Sequence, residues 1–111
     1  MERLTKDSQF ALAREHGEFK VNKLLVMRAL PNDLGVARYG FIASRRVGNA
    51  VVRNRIRRLL REVVRTVSIN GGWDIVVIAR KGAADASYHD IKEALDDLLK
   101  RMHLIGGLDR G

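Results

Sequence analysis

Trp73-Asp74-Ile75-Val76-Val77-Ile78-Ala79 is a nearly continuous apolar run, entered through the turn-forming Ile69-Asn70-Gly71-Gly72. It lacks the polar alternation that would give one wet face, so it reads as a strand buried on both sides and central in its sheet. Such a strand needs neighbours at both edges and cover above and below. The flanking sequence must supply them.

Upstream, Ala50 to about Val67 has helical periodicity, with Asn49 as its N-cap. At 100° per residue, Val52, Ile56, Leu59, Leu60, Val63 and Val67 gather on one side, and Arg53, Arg57, Arg58, Arg61 and Arg65 on the other. Downstream, a helix beginning at Ser87 carries Ile91, Leu95, Leu98 and Met102 on one stripe, with acids early and Lys100 and Arg101 late, as the macrodipole favours. Further upstream, Lys23–Leu30 and Val36–Ser44 are extended and separated by Pro31-Asn32-Asp33-Leu34-Gly35, which predicts an antiparallel hairpin. In its second strand, Tyr39, Phe41 and Ala43 share one face and Arg38, Gly40, Ile42 and Ser44 the other. A short first helix carries Phe10, Leu12 and Ala13, capped by Thr5 or Asp7 and ending near Gly17 as a left-handed C-terminal residue. Gly106-Gly107 opens a frayed tail. The order helix, strand, strand, helix, strand, helix implies a mixed sheet with helices packed on it.

At 111 residues the chain forms one domain, too short for a doubly wound nucleotide fold. Its 46% hydrophobic content sustains a core, yet no apolar run approaches the roughly 20 residues of a membrane span. The start, Met1-Glu2-Arg3-Leu4-Thr5, has no apolar stretch of a secretory signal, and the absence of cysteine excludes disulfides and thiolate metal sites. A bacterial cytoplasmic setting is the expectation.

The net charge of +8 is localised. Between positions 38 and 65 stand nine arginines (38, 45, 46, 53, 55, 57, 58, 61, 65) and one acid, Glu62, while the remainder carries twelve bases and twelve acids. All nine are Arg, whose guanidinium pairs bidentately with phosphate and stacks on bases. A polyanion is therefore the first partner to consider, against the blander reading of a solvated basic face. The loop Ser44-Arg45-Arg46-Val47-Gly48-Asn49 leads into the arginine helix, whose N-terminal amides favour phosphate, and Gly48 lets a phosphodiester approach the backbone. Arg53-Asn54-Arg55 and Arg57-Arg58 spread donors around the exposed helix. Arg55 lies nearest the apolar side and is a candidate brace for the loop or sheet edge.

Tyr39 and Phe41 read as core and Trp73 as the anchor of a strand start; Phe10 taken alone also reads as core. His16, His89 and His103 are far apart in sequence, and no nucleophile, base and acid arrangement is recognisable, so no protein-borne active site and no protein-held metal is predicted. A DNA-binding helix would lack a helix-turn-helix partner or dimerisation element.

The run Ser44-Arg45-Arg46-Val47-Gly48-Asn49-Ala50-Val51-Val52-Arg53-Asn54-Arg55-Ile56-Arg57-Arg58-Leu59-Leu60-Arg61-Glu62 resembles the signature of the bacterial ribonuclease P protein family: a basic pair, Gly-Asn-Ala-Val, Arg-Asn-Arg, a second basic pair and a final Arg-Glu. The likeness extends through Phe10, Gly17, the 74–80 strand and the closing helix. It implies an α+β fold, an α/β sandwich with a mixed central sheet of about four strands, three helices and a left-handed βαβ crossover, the ribosomal protein S5 domain 2-like arrangement. The usual handedness rule would have rejected that crossover. It also implies a subunit, one copy per RNA, that binds a catalytic RNA and the 5′ leader of precursor tRNA, while the RNA cleaves with Mg²⁺ that it mainly holds itself. By position, Arg45, Arg46, Gly48, Asn49, Arg53, Asn54, Arg55, Arg57, Arg58, Arg61 and Arg65 face the catalytic RNA. Phe10 lines the leader cleft, where Arg14 and Arg28 occupy positions at which the family often has aromatics. A structural or ribosomal RNA-binding protein without turnover is the alternative.

Overall fold

The structure, a computed structural model, describes residues 2–4, 7–69 and 71–105, without the side chains of Glu2, Asp7 and Arg14. In chain order the elements are β1 (Glu2–Arg3), α1 (Asp7–His16), β2 (Glu18–Val21), β3 (Leu25–Pro31), β4 (Arg38–Ile42), α2 (Ala50–Val64), β5 (Trp73–Ala79), a 3-10 turn (Lys81–Asp85) and α3 (Tyr88–Arg101). They build one mixed sheet of order β1-β4-β5-β3-β2, in which the two-residue β1 extends four longer strands.

β5 is the central strand, as its composition requires. It pairs in parallel with β4 and antiparallel with β3, and Ile75, Val76 and Val77 are fully buried. Ile75, Val77 and Ala79 join Leu25, Met27, Ala29 and Tyr39 in the core beneath α2 and α3. Val76 lies on the opposite face against Ala13 of α1, with Phe10, Ile42 and Ile78 packed around them. The fold is thus an α+β sandwich with one helix on one face and two on the other.

The hairpin expected between 23–30 and 36–44 does not form. β3 and β4 run in opposite directions, but β5 lies between them and bonds to both. The reason is desolvation: the most apolar strand must pair both backbone edges as well as cover both faces, so it takes the middle. The 32–37 connection wraps around the start of β5 and is held there by Asn32, whose N–H donates to the Gly72 carbonyl (3.1 Å) and whose Nδ2 donates to Asp74 (2.8 Å). The hairpin that does form joins β2 to β3. Its turn is closed by Asn22, whose Oδ1 accepts the N–H groups of Leu24 and Leu25.

Other boundaries shift for local reasons. α2 ends at Val64, short of Val67, because Thr66 turns back, its hydroxyl donating to the Val63 carbonyl (2.7 Å). Gly17 is not left-handed. It is small because a Cβ there would lie 2.5 Å from the Ala13 carbonyl oxygen and 2.9 Å from that of Ala29. Ser87 caps α3 through a reciprocal capping box with Asp90. The calls on Thr5, the Asp7 side chain and the 106–111 tail lie outside the described residues.

One ion pair fixes the start of the parallel pairing. Arg38 donates to both oxygens of the buried Asp74 (2.8 and 2.7 Å) on the adjacent strand. Burial alone would raise the Asp74 pKa, but hydrogen bonds from Arg38 and Asn32 and the Arg38 charge outweigh it and hold the carboxyl below its usual value. The resulting stabilisation is complete above the unfolded-state pKa of about 4 and disappears as pH falls through the lower folded value. Asp74→Asn should therefore cost about 2 kcal/mol at pH 7. In urea melts its deficit relative to the unchanged chain should shrink as pH falls below about 4; a deficit constant with pH would refute this account.

Candidate nucleic-acid interface

α2 forms where Asn49 Oδ1 accepts the Val52 N–H (3.0 Å), as the N-cap reading required. The Asn49 side chain is therefore committed to the helix. Gly48, half-buried, has a local packing reason as well: a Cβ there would come within 2.9 Å of Val52. Ile56, Leu60, Val63 and Val64 bury the apolar stripe. That anchorage fixes the outward arc of the helix.

The nine arginines separate into three roles. Arg38 is neutralised by Asp74 and belongs to the sheet. Arg55 braces the 3-10 turn, donating to the carbonyls of Ala84 (3.3 Å) and Ala86. The other seven surround the start and outer side of α2. Arg58 is exposed and shares a long contact with Glu62 (3.9 Å). Arg57 donates to Asn54 (3.0 Å) and to the Ala43 carbonyl (3.2 Å), tying the helix to the end of β4. Arg53 is half-buried, and its Nε has no hydrogen-bond partner. Arg61 is half-buried, Asn54 is exposed, and Arg65 is exposed at the C-cap. In the loop before α2, Val47 is buried as a peg, leaving Arg45 and Arg46 exposed beside it.

Two bases outside the predicted set join this surface. Arg46, Arg80 and Lys81 line a groove of about 530 Å³ at the ends of β4 and β5. Sequence reading passed over Arg80 and Lys81 because they follow the apolar strand singly, away from the arginine run. The signal available was their position at the end of the central strand, beside the loop that enters α2.

Phe10 brings α1 to the same region. Its ring lies directly on Gly40, where any Cβ would overlap it. Arg3, Phe10, Gly40, Arg57 and Arg61 line one small hollow of about 70 Å³ at the β4 edge. The α1 aromatic and the arginine helix, separate in the sequence reading, therefore meet. Arg28 lies elsewhere, in β3, with its guanidinium 4.8 Å from the centre of the Phe19 ring. Arg14 falls within α1, but its side chain lies outside the described residues. Tyr39 is not available to a ligand: it is buried, stacked on Phe41 (6.1 Å between centroids), and burial pushes its hydroxyl pKa up to about 12.

The family model described as Ribonuclease P matches residues 1–103. The chain belongs to the ribonuclease P protein family. The ribonuclease P protein component of Dehalococcoides mccartyi is 39% identical over 107 residues, covering 96% of this chain and 89% of that one. That of Clostridioides difficile is 42% identical over 101 residues, covering 88% and 89%. The Staphylococcus aureus RNase P protein structure superposes with a TM-score of 0.86 at 31% identity, over 96% of this chain and 99% of that one. The Thermotoga maritima RNase P protein gives 0.82 at 33%, over 91% and 97%.

Ribonuclease P is an endoribonuclease of tRNA processing, so membership makes this chain part of an enzyme assembly. Among the described residues no three His, Asp or Glu side chains are grouped to hold a metal ion, and no helix is long and apolar enough to cross a membrane. The family signature thus contains residues with distinct duties. Arg55→Ala should lower the thermal midpoint by several degrees, through loss of two carbonyl contacts worth about 1 kcal/mol each, and leave the salt dependence of RNA binding unchanged. Arg58→Ala should leave the melt unchanged and flatten that dependence. Thermal denaturation beside salt titration of RNA affinity separates the two, and interchanged results would overturn the assignment.

Proposed function

We propose that this chain is the protein subunit of ribonuclease P, binding the catalytic RNA through the arginine face of α2 and the loop before it, and the 5′ leader of precursor tRNA across the α1 side of the sheet. The observation that carries the reading is the meeting of Phe10 with Arg57 and Arg61 at the β4 edge, which makes the two surfaces contiguous. One RNA lying on α2 and a second strand crossing beneath α1 would then be held by a single rigid body.

The protein's contribution is electrostatic and positional. Arg45, Arg46, Arg53, Arg57, Arg58, Arg61 and Arg65 neutralise phosphates, and forked guanidinium donors fix the orientation of the RNA. Phosphodiester cleavage belongs to the RNA, and the Mg²⁺ that supplies charge neutralisation for it is held mainly there. Arg28 supplies a cation to the leader side. The protein acts as one copy per RNA, in the bacterial cytoplasm.

Reconstitution tests this. The chain alone should not cleave precursor tRNA; added to a bacterial ribonuclease P RNA, it should lower the Mg²⁺ and salt needed for cleavage. RNA binding without any change in cleavage at near-physiological salt would instead favour a structural RNA-binding protein. In the same system Arg58→Ala should reduce the log-log salt slope of binding by about 0.7 to 0.9, one phosphate contact.

A further inference from the structure

We infer that Glu62 is a specificity-determining residue of the RNA-facing surface: its carboxylate accepts a hydrogen bond from a neutral donor of the catalytic RNA, a 2′-hydroxyl or the amine edge of an unpaired guanine. The inference deepens the proposed reading of α2 as the face for that RNA, and rests on it.

Glu62 is the one acid among the nine arginines between positions 38 and 65. It is exposed near the end of α2, one turn beyond Arg58 and just under one turn before Arg65, so both cations neighbour it on the helix surface. Helix stability does not account for an acid there. In the last turn of α2 a carboxylate faces the negative end of the macrodipole. An acid that follows its cation by four residues is also the weaker order for such a pair. The contact with Arg58 is long, 3.9 Å, between side chains that are 64% and 47% exposed, and a pair of that kind contributes little. Among the described residues Glu62 has no other hydrogen bond or ion pair.

The surface as a whole attracts phosphate, and Glu62 alone within it repels phosphate at short range. A strand whose phosphates lie at Arg58 and Arg65 must therefore present something else between them. A carboxylate is an acceptor only, so the group that satisfies it is an O–H or N–H. In RNA the 2′-hydroxyl stands beside every phosphate, and an unpaired guanine turns its amine and the adjoining ring N–H toward two acceptor oxygens. Duplex DNA offers the same phosphates without the hydroxyl and with its bases paired. Glu62 thus costs a general polyanion affinity and costs the correct RNA none, which is how a repulsive group creates preference.

The test compares affinities for a bacterial ribonuclease P RNA and for duplex DNA with the same number of phosphates, at one salt concentration. In Glu62→Ala the ratio of RNA to DNA affinity should fall about tenfold, with RNA binding weakened and DNA binding strengthened. The thermal midpoint should hold or rise, because alanine favours helix and no longer opposes the dipole. Glu62→Gln, which keeps an acceptor oxygen without the charge, should lie between. Equal gains for both nucleic acids would make Glu62 a repulsive charge and nothing more, and a lowered midpoint would make it a structural residue; either overturns the inference. An RNA preference that survives Glu62→Ala overturns it too and leaves RNA binding by α2 standing. No preference in the unchanged chain overturns that binding itself. Interference mapping identifies the donor, using RNA pools that carry scattered 2′-deoxynucleotides or inosine in place of guanosine. A position where the change weakens binding to the unchanged chain but not to Glu62→Ala marks a hydroxyl or an amine respectively. If neither pool shows such a position, the donor contact does not exist.

Discussion

The complete burial of β5 is the constraint on which the rest of the structure depends. Ile75, Val76 and Val77 leave no solvent-facing side, so β5 must be bonded at both edges and roofed on both faces. β3 and β4 are separated to serve its edges, and α1 on one side and α2 with α3 on the other serve its faces. The position of α2 over the β4 side follows, because the chain leaves β4, crosses above the sheet as α2 and returns as β5 in parallel with the strand it left. The arginine-rich helix is thereby set beside the strand edge that receives Phe10 from the opposite face.

Within that frame α2 converts composition into direction. Its apolar stripe descends into the core through Ile56, Leu60, Val63 and Val64, so the remaining arc has no choice but to face outward. Charge counting from the sequence overstates that surface. Arg38 is spent on Asp74 and Arg55 on the carbonyls of Ala84 and Ala86, so two members of the nine-arginine run hold the fold together. A guanidinium suits both duties: its planar fork satisfies two fixed acceptors inside the protein as readily as two phosphate oxygens outside it.

What could be read in the sequence was whatever depends on local periodicity. The doubly buried strand, the Asn49 and Ser87 caps and the apolar stripes of α2 and α3 are statements about residues within a few positions of one another, and each stands in the structure. The brace at Arg55 was legible only in part: its angle on the helix set it apart, but toward the loop or sheet edge, whereas it reaches the carbonyls of Ala84 and Ala86 at the 3-10 turn. Strand pairing was not: the turn chemistry at 31–35 fits a hairpin equally well whether or not another strand inserts, and only competition for the central place decides. β2 was missed because Glu18-Phe19-Lys20-Val21 is short, exposed along its length and indistinguishable from a loop. Arg80 and Lys81 line the basic groove with Arg46 because β4 and β5 run in parallel and end side by side, a pairing that periodicity does not record.

The acids are as informative as the arginines. Asp85, Asp90, Glu93 and Asp97 line a groove between α3 and the β2–β3 turn. Arg55 of α2 reaches the carbonyls of Ala84 and Ala86, and Ala86 lines this groove, so the acids adjoin one flank of the arginine helix and do not lie a sheet's width away from it. Over distances shorter than the screening length of about 8 Å at physiological salt, like charges still repel. On the proposed reading, a polyanion is therefore disfavoured on the α3 flank of α2 and is left the flank toward the 44–49 loop and β4. The same +8 charge with no acids beside α2 would admit a polyanion in more orientations; placing these four on one flank narrows the choice.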